Sequence, residues 1–288
     1  MENMLPEAAR THLFVTDLDG TLLDSDGRVP SLSARIISDL SHRGALITVA
    51  TARTPATVDR LLCHTFTRLP AIVMTGAALW DRRHRRYINT RMLSPSAATA
   101  AINLCRSFNI NPFIYTLGRD SILHVYHNGP LSAKESRFVA DRTGLLLKRF
   151  HLDEPCGLAD SFPSTIFLLA MGPVEEVFRA ASSLRLIPEV EISAYPDNYN
   201  PLTGVLEIFA AGVSKASAIR SLAQQCGATR ITVFGDNLND LPMLREADEA
   251  VAVANAMPEV LREASLVIGP NTDEAVARHI LHTLQSYC

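Results

Sequence analysis

The sequence predicts an α/β fold, a doubly wound and mostly parallel sheet interrupted by an inserted α+β domain. Three features carry that expectation. Both ends of the 288-residue chain alternate short apolar, β-branched runs with segments of helical period; two of those runs break off into acidic loops, VTDLDG at 15–20 and VFGDNLND at 233–240; and the middle of the chain loses the alternation.

Residues 13–16 form a buried strand that opens into a loop carrying Asp17, Asp19 and Gly20. Leu32, Ile36, Ile37 and Leu40 then recur at helical spacing over 31–43, Gly44 supplies a stop, and 45–50 is a second strand. Thr54 and Pro55 give an N-cap and a first-turn proline for a helix to about residue 66, with 71–74 as the third strand. In the middle, strand-like runs at 112–117 and 122–126 flank GRDS, a hairpin turn signal. Helical patterns near 131–142 and 174–184 and strand-like runs at 165–171, 190–195 and 204–209 complete an antiparallel α+β insert. Alternation returns with a helix near 215–225, the strand 230–234, a helix near 238–247 and the strand 250–253. Segments 1–84 and 209–288 are therefore expected to form the doubly wound unit and 85–208 the insert.

A chain with 47% hydrophobic and 20% charged residues can bury a sizeable core, and its net charge of −3 provides no global basic field for nucleic acid or anionic lipid. The five cysteines stand singly, with no Cys-x-x-Cys, which argues against zinc ribbons and disulfide frameworks. The N-terminus lacks a basic stub followed by an apolar run, and no stretch approaches a membrane span, so a cytoplasmic location is expected. The basic run Arg82, Arg83, His84, Arg85 and Arg86 is short and lacks interleaved aromatics, and reads as a solvated face. His-x-x-x-His, Gly-x-Ser-x-Gly and Walker patterns are absent.

Ligands of open parallel sheets sit at the carboxyl ends of the strands, so Asp17, Asp19, Asp236 and Asp240 can converge although far apart in sequence. Taken alone, Asp-x-Asp-Gly after a strand is equally a turn. An EF-hand started at Asp17 fails, because Leu22 stands where glycine is required and Arg28 at the twelfth position.

Four segments change that balance: FVTDLDGTLL at 14–23, VATAR at 49–53, GVSKASAI at 212–219 and FGDNLND at 234–240. Their order and placement resemble the four motifs of the haloacid dehalogenase superfamily of phosphotransfer enzymes. The long insert between the second and third motifs resembles the cap of the type IIB, or Cof-like, branch, and the tail from residue 255 resembles the family's closing segment. The resemblance implies a phosphatase of small phosphorylated metabolites such as sugar phosphates. It leaves a phosphomutase with the same nucleophile, or a non-catalytic binding protein on this scaffold, as alternatives.

Physical chemistry runs alongside. Two carboxylates about 4 Å apart repel by roughly 4 kcal/mol at an effective dielectric near 20, and a phosphate dianion adds to that. A divalent cation is needed, and all-oxygen donors shared with a phosphate suit Mg²⁺. The family resemblance makes the Asp17 carboxylate, the Asp19 main-chain carbonyl and the Asp236 carboxylate its ligands, with Asp240 supporting. Asp17 would be the nucleophile that forms an aspartyl-phosphate, and Asp19 the acid that protonates the leaving group and then activates water. Thr51 would donate to a phosphate oxygen and Lys215 would balance the charge of Asp17 and the phosphoryl group. Asn239 is either a phosphate-side donor or a polar residue at a helix start, and Arg53 lies near the site or holds its loop.

Two positions depart from the family pattern. Ala52 replaces the glycine of Thr-Gly-Arg, and Thr75 replaces the asparagine of Asn-Gly-Ala; alanine tolerates positive φ poorly, and threonine lacks the amide's reach. An inserted cap would cover the pocket and gate turnover, with the turn at 195–200 as a candidate specificity surface. No pattern specifies an interface, so the oligomeric state is left open.

Overall fold

The computed structural model describes residues 4–154, 156, 164–197 and 200–287. These divide into two compact units, one formed by the two chain ends up to residue 88 and from residue 214, the other by residues 89–213.

In the first unit the chain runs β1 (His12–Thr16), α1 (Ser31–His42), β2 (Leu46–Val49), α2 (Pro55–Leu61), β3 (Ala71–Val73), β4 (Ala78–Asp81) and β5 (Arg86–Ile88). In the second follow α3 (Pro95–Ser107), β6 (Phe113–Leu117), β7 (Leu123–His127), α4 (Ala133–Ala140), β8 (Lys148–Leu152), β9 (Thr165–Pro173), α5 (Val174–Leu184), β10 (Val190–Pro196) and β11 (Thr203–Ala210). The chain then re-enters the first unit through α6 (Lys215–Cys226), β12 (Arg230–Gly235), α7 (Leu241–Arg245), β13 (Glu249–Val253), α8 (Pro258–Glu263), β14 (Leu266–Ile268) and α9 (Ala275–Gln285).

Five strands of the first unit form a parallel sheet ordered β14-β13-β12-β1-β2. β1 is buried along its whole length, as an internal parallel strand must be, and its Leu13, Phe14 and Val15 are fully enclosed. From the centre, β1 leads outward through α1 to β2 while β12 leads the opposite way through α7 to β13. With right-handed crossovers, opposite directions put α1 and α7 on opposite faces, so the order reverses between β1 and β12. That reversal opens the crevice in which the acidic loops lie.

The third expected strand behaves differently. β3 pairs antiparallel with β4 in a separate three-stranded sheet with β5, and touches the parallel sheet only through the single bridge Ala50–Ile72. The basic run forms the β4–β5 turn. Four of its five members are met locally: Arg82 donates to the carbonyls of Thr65 and Leu62, His84 Nδ1 lies 2.8 Å from Asp81 and Arg86 Nε 3.4 Å from it, and Arg85 lies 3.9 Å from Asp59.

The second unit is a six-stranded sheet ordered β10-β11-β9-β6-β7-β8. One face packs on α3 and α5 through Ile114, Leu168, Ala170, Leu206 and Ile208 of the strands and Ala98, Ala101, Ile102, Val177 and Ala181 of the helices. It is antiparallel except for β7 and β8, which run parallel, a pairing that the sequence pattern did not predict. Of the 195–200 turn, Asn198 and Tyr199 lie outside the described residues; Pro196 closes β10 and Asp197 pairs with Lys134. Among the described residues no helix is long and apolar enough to cross a membrane, and Cys63, Cys105, Cys156 and Cys226 are free thiols.

Candidate functional site

Thr16 of β1 is in register with Phe234 of β12, and the Asp17 N–H still donates to the Phe234 carbonyl at 3.0 Å. The two strands therefore deliver Asp17 and Asp236 side by side at their carboxyl ends. Gly20 makes room between them: its φ is +77°, and a Cβ there would lie 2.3 Å from Asp236 Oδ2. Gly20→Ala is accordingly expected to push Asp236 out of place and weaken metal binding by roughly 10-fold or more, which calorimetric titration of the purified variant checks. Thr21 Oγ1 donates to Asp236 Oδ1 at 2.7 Å, and Asn255 Nδ2 donates to the Gly20 carbonyl at 2.8 Å, fixing this loop from both sides.

Lys215 arrives from the start of α6. Ser214 caps that helix through a reciprocal pair with Ser217, which sets the direction in which the first helical side chain leaves. The Lys215 ammonium, 1% exposed, donates to Asp17 Oδ1 at 2.5 Å and to Asp240 Oδ1 at 2.7 Å. Asp240 Oδ2 accepts the backbone N–H groups of Asp236 and Asn237, each at 3.1 Å. Both Asp240 oxygens are thus committed, and the residue acts as a strut that ties Lys215 to the loop after β12. Asp17 Oδ2, by contrast, accepts no hydrogen bond among the described residues.

One carboxylate oxygen from each of Asp17, Asp236 and Asp240 lies within 4.8 Å of the others. Burial pushes the Asp17 carboxyl well above its ordinary range, opposed by the Lys215 charge and reinforced by Asp240 and Asp236. Burial likewise raises Asp236, to about 6, against the Thr21 hydrogen bond and with repulsion from Asp240 adding to the rise. Burial works against the Lys215 ammonium, but Asp17 and then Asp240 outweigh it and keep it charged. The pocket holds more negative charge than its own lysine neutralises. Hard oxygen donors with excess negative charge fit a small divalent cation, and Asp17 and Asp236 are the carboxylates left able to hold one directly.

Asp19 is half-exposed and points to Arg53, whose Nε and Nη2 reach its two oxygens at 2.7 and 2.5 Å. Arg53 is therefore engaged with a carboxylate. Thr51 is buried, and its Oγ1 accepts the Arg53 N–H at 3.1 Å, leaving the hydroxyl proton available. Asn239 is exposed on the 3-10 turn after β12, where the capping residue is Asn237. Asn239 thus sits in the first turn of that segment without being its cap.

The two departures have different consequences. Ala52 is not among the residues with positive φ, so its position does not call for the glycine of the family pattern. Thr75 does adopt φ +57°, a conformation that asparagine tolerates better than a β-branched residue, and its buried Oγ1 has no hydrogen-bond partner among the described residues. The strain is held by the Thr75 N–H to Thr51 carbonyl bond at 3.0 Å and the Met74 N–H to Arg53 carbonyl bond at 3.0 Å, which lock the second-motif loop to the end of β3. Thr21, Asn237 and Asn255 escaped sequence reasoning. For Asn237 a signal existed: Asn-x-x-Asp at a helix start has the spacing of a reciprocal cap.

An open parallel sheet with an acid-lined crevice at its topological switch point, one buried lysine and an unpartnered carboxylate oxygen defines a class of site suited to anionic substrates handled with a metal. The model of the haloacid dehalogenase-like hydrolase family matches residues 14–280, and the chain belongs to that family. It is 24% identical over 272 residues, 94% of each chain, to the 5-amino-6-(5-phospho-D-ribitylamino)uracil phosphatase YcsE of Bacillus subtilis. It is 25% identical over 280 residues, again 94% of each chain, to the HMP-PP phosphatase of Serratia proteamaculans. Among solved structures, the HAD subclass IIB sugar phosphatase BT4131 superposes with a TM-score of 0.71 at 20% identity, covering 95% of this chain and 98% of that one.

Proposed function

We propose that the protein is a cytoplasmic, Mg²⁺-dependent phosphatase of small phosphorylated metabolites, sugar phosphates foremost, acting through an aspartyl-phosphate on Asp17. The observation that carries this reading is the Asp17 carboxylate, anchored through one oxygen to Lys215 and unpartnered at the other, beside Asp236. The phosphatases named among the relatives support the substrate class: one acts on a phosphorylated ribityl compound, a polyol phosphate chemically close to a sugar phosphate.

In this reading the free Asp17 oxygen attacks phosphorus, the ester bond breaks, and the leaving alkoxide takes the Asp19 proton. Asp19 then removes a proton from water; the water oxygen attacks phosphorus, orthophosphate departs and the Asp17 carboxylate is restored. Lys215 fixes Asp17 and offsets charge on the transferring group, while Thr51 and Asn239 donate to phosphate oxygens. Arg53 orients Asp19 through its paired bonds to both carboxylate oxygens and stands beside the bound phosphate. Asp17, the Asp19 carbonyl and Asp236 would hold Mg²⁺, with Asp240 in support. Bound there, the ion would neutralise the carboxylates and polarise the phosphoryl oxygens. Specificity is assigned to the unit formed by residues 89–213.

A panel of phosphate esters assayed for free phosphate, with Mg²⁺ and with a chelator, tests this. Release from at least one sugar phosphate that disappears on chelation is the expected result; no release from any ester defeats the reading, and an isomerised sugar phosphate without free phosphate makes the protein a mutase. Because the ion must displace protons from Asp17, which burial holds well above its ordinary range, and from Asp236, whose carboxyl sits at about 6, apparent Mg²⁺ affinity should fall throughout the drop from pH 8 to pH 5. The limiting slope is about 10-fold per unit for each proton released, readable by titration at pH 5 to 8.

A further inference from the structure

The wide turn Leu18–Leu22, which carries Asp19, Gly20 and Thr21, is gripped by two asparagines that the proposed chemistry does not use. Asn255 follows β13 and Asn271 follows β14. Asn255 Nδ2 donates to the Gly20 carbonyl at 2.8 Å, and Asn255 Oδ1 accepts the Asn271 backbone N–H at 2.9 Å. Asn271 Nδ2 donates to the Leu23 carbonyl at 2.7 Å. Carbonyls only accept and a backbone N–H only donates, so the partners fix which way round each amide stands. The turn is closed by the Leu23 N–H to Leu18 carbonyl bond at 2.9 Å, and the two asparagines hold its middle and its end. Two residues past Asn255, the Met257 N–H donates to the Asp236 carbonyl at 2.8 Å, so the same loop also holds the backbone of Asp236. On its other side the turn abuts the Asp236 side chain. A Cβ on Gly20 would lie 2.3 Å from Asp236 Oδ2, and Thr21 Oγ1 donates to Asp236 Oδ1 at 2.7 Å. The Gly20 carbonyl belongs to the peptide that leads into Thr21, so pinning it aims that hydroxyl. The turn is therefore wedged between Asp236 and the asparagine pair.

We propose that Asn255 and Asn271 are positioning residues that set the ion selectivity of the site, holding the turn at the spacing of Mg²⁺ and against expansion to Ca²⁺. In the phosphatase reading, on which this assignment rests, the Asp19 carbonyl and the Asp236 carboxylate are ligands of one ion. Mg²⁺ bonds oxygen at about 2.0–2.1 Å and Ca²⁺ at about 2.3–2.6 Å, with more ligands in looser geometry. Admitting Ca²⁺ requires the turn to back away from Asp236 by ~0.3–0.5 Å, which strains the bonds from Asn255 to Gly20 and from Asn271 to Leu23. Selectivity between the two ions depends on the size and rigidity of the cavity, and here side chains outside the donor set supply the rigidity. Asn255 is exposed, so truncating it loosens the turn without opening a cavity in the core.

The test is calorimetric titration of the full-length wild type, Asn255→Ala and Asn271→Ala with Mg²⁺ and, separately, with Ca²⁺. Each variant should lose about 10-fold in Mg²⁺ affinity but only about 3-fold or less in Ca²⁺ affinity, so the preference for Mg²⁺ falls by at least about 3-fold. Thermal melts in chelator should show Asn255→Ala as stable as the wild type. Thr21→Val, which removes the hydroxyl at nearly constant shape, should also weaken Mg²⁺ binding and add little to Asn255→Ala in the double variant, because both act through one turn. With an ester that the wild type hydrolyses, Asn255→Ala should need more Mg²⁺ for half-maximal rate, while kcat at saturating Mg²⁺ stays within about 2-fold. Wild type that binds no Mg²⁺ defeats the metal-dependent reading and this assignment with it. Wild type that binds Mg²⁺, with the ratio of the two affinities unchanged in both asparagine variants, overturns the selectivity role alone and leaves the phosphatase reading standing.

Discussion

Asp17→Asn is expected to lower phosphate release by on the order of 10⁴-fold or more, equivalent to about 5 kcal/mol or more in the barrier, while the protein stays folded. Asparagine keeps the shape of the side chain, and its amide oxygen can still accept from Lys215, which retains Asp240 as a second partner at 2.7 Å. What is lost is the anionic oxygen that attacks phosphorus. The same substitution should leave the metal-free protein as stable as the wild type or more so. Burial and the neighbouring acids hold the Asp17 carboxyl above its unfolded value, so ionising it works against the fold. A carboxyl raised in this way contributes its stability below the unfolded pKa and loses it as pH rises through the folded one. The variant escapes that loss, and its advantage in a chelator-treated urea melt should grow from pH 5 to pH 8. An active variant, or one whose stability falls below the wild type as pH rises, would contradict the role assigned to this carboxylate.

How far the sequence revealed this site depends on what kind of signal each residue left. Asp17 and Asp236 follow apolar runs that can only be buried strands, and adjacent parallel strands deliver their ends to one place; their meeting was therefore legible. Lys215 follows a Ser cap, which marks the start of a helix and hence the lysine's position, although not the bond to Asp240 that makes it a bridge. The Arg53–Asp19 pair was not legible, because it joins two loops whose relative placement depends on the Thr75 and Met74 hydrogen bonds. In the other unit, α3 was missed because its buried face is built from Ala97, Ala98 and Ala101, too weakly apolar for a clear helical period. β8 was missed because KRFHL mixes charged and apolar residues, and only its parallel partner β7 makes it a strand. Stability and chemistry coincide in the first unit: the residues easiest to find are those whose burial the sheet itself dictates.

Lys215→Met should be the most destabilising single change at the site, at about 3–5 kcal/mol near pH 8, because it leaves two enclosed carboxylates without their counter-ion. Lys215 and Asp240 are 1% and 0% exposed at their side chains and Asp17 is 8% exposed, so water cannot replace the ammonium. Methionine fills similar volume, which removes a cavity as the explanation of any loss. The pH dependence separates charge from packing. Without the lysine, Asp17, which burial already holds above its unfolded value, gains a proton still more readily in the fold. The deficit should then be small near pH 5, where protons substitute for the missing cation, and largest above pH 8, where they do not. Urea denaturation at the two pH values in chelator measures this. A deficit equal at both would mean that the buried charge is not what Lys215 stabilises. Activity should fall as well, by roughly 10²–10³-fold, since Asp17 loses its anchor and the phosphoryl group loses a donor. Divalent metal should restore much of the stability at pH 8 but little of the rate: a cation beside Asp17 and Asp236 relieves repulsion, yet it cannot reproduce the 2.5 Å bond that aims the Asp17 carboxylate.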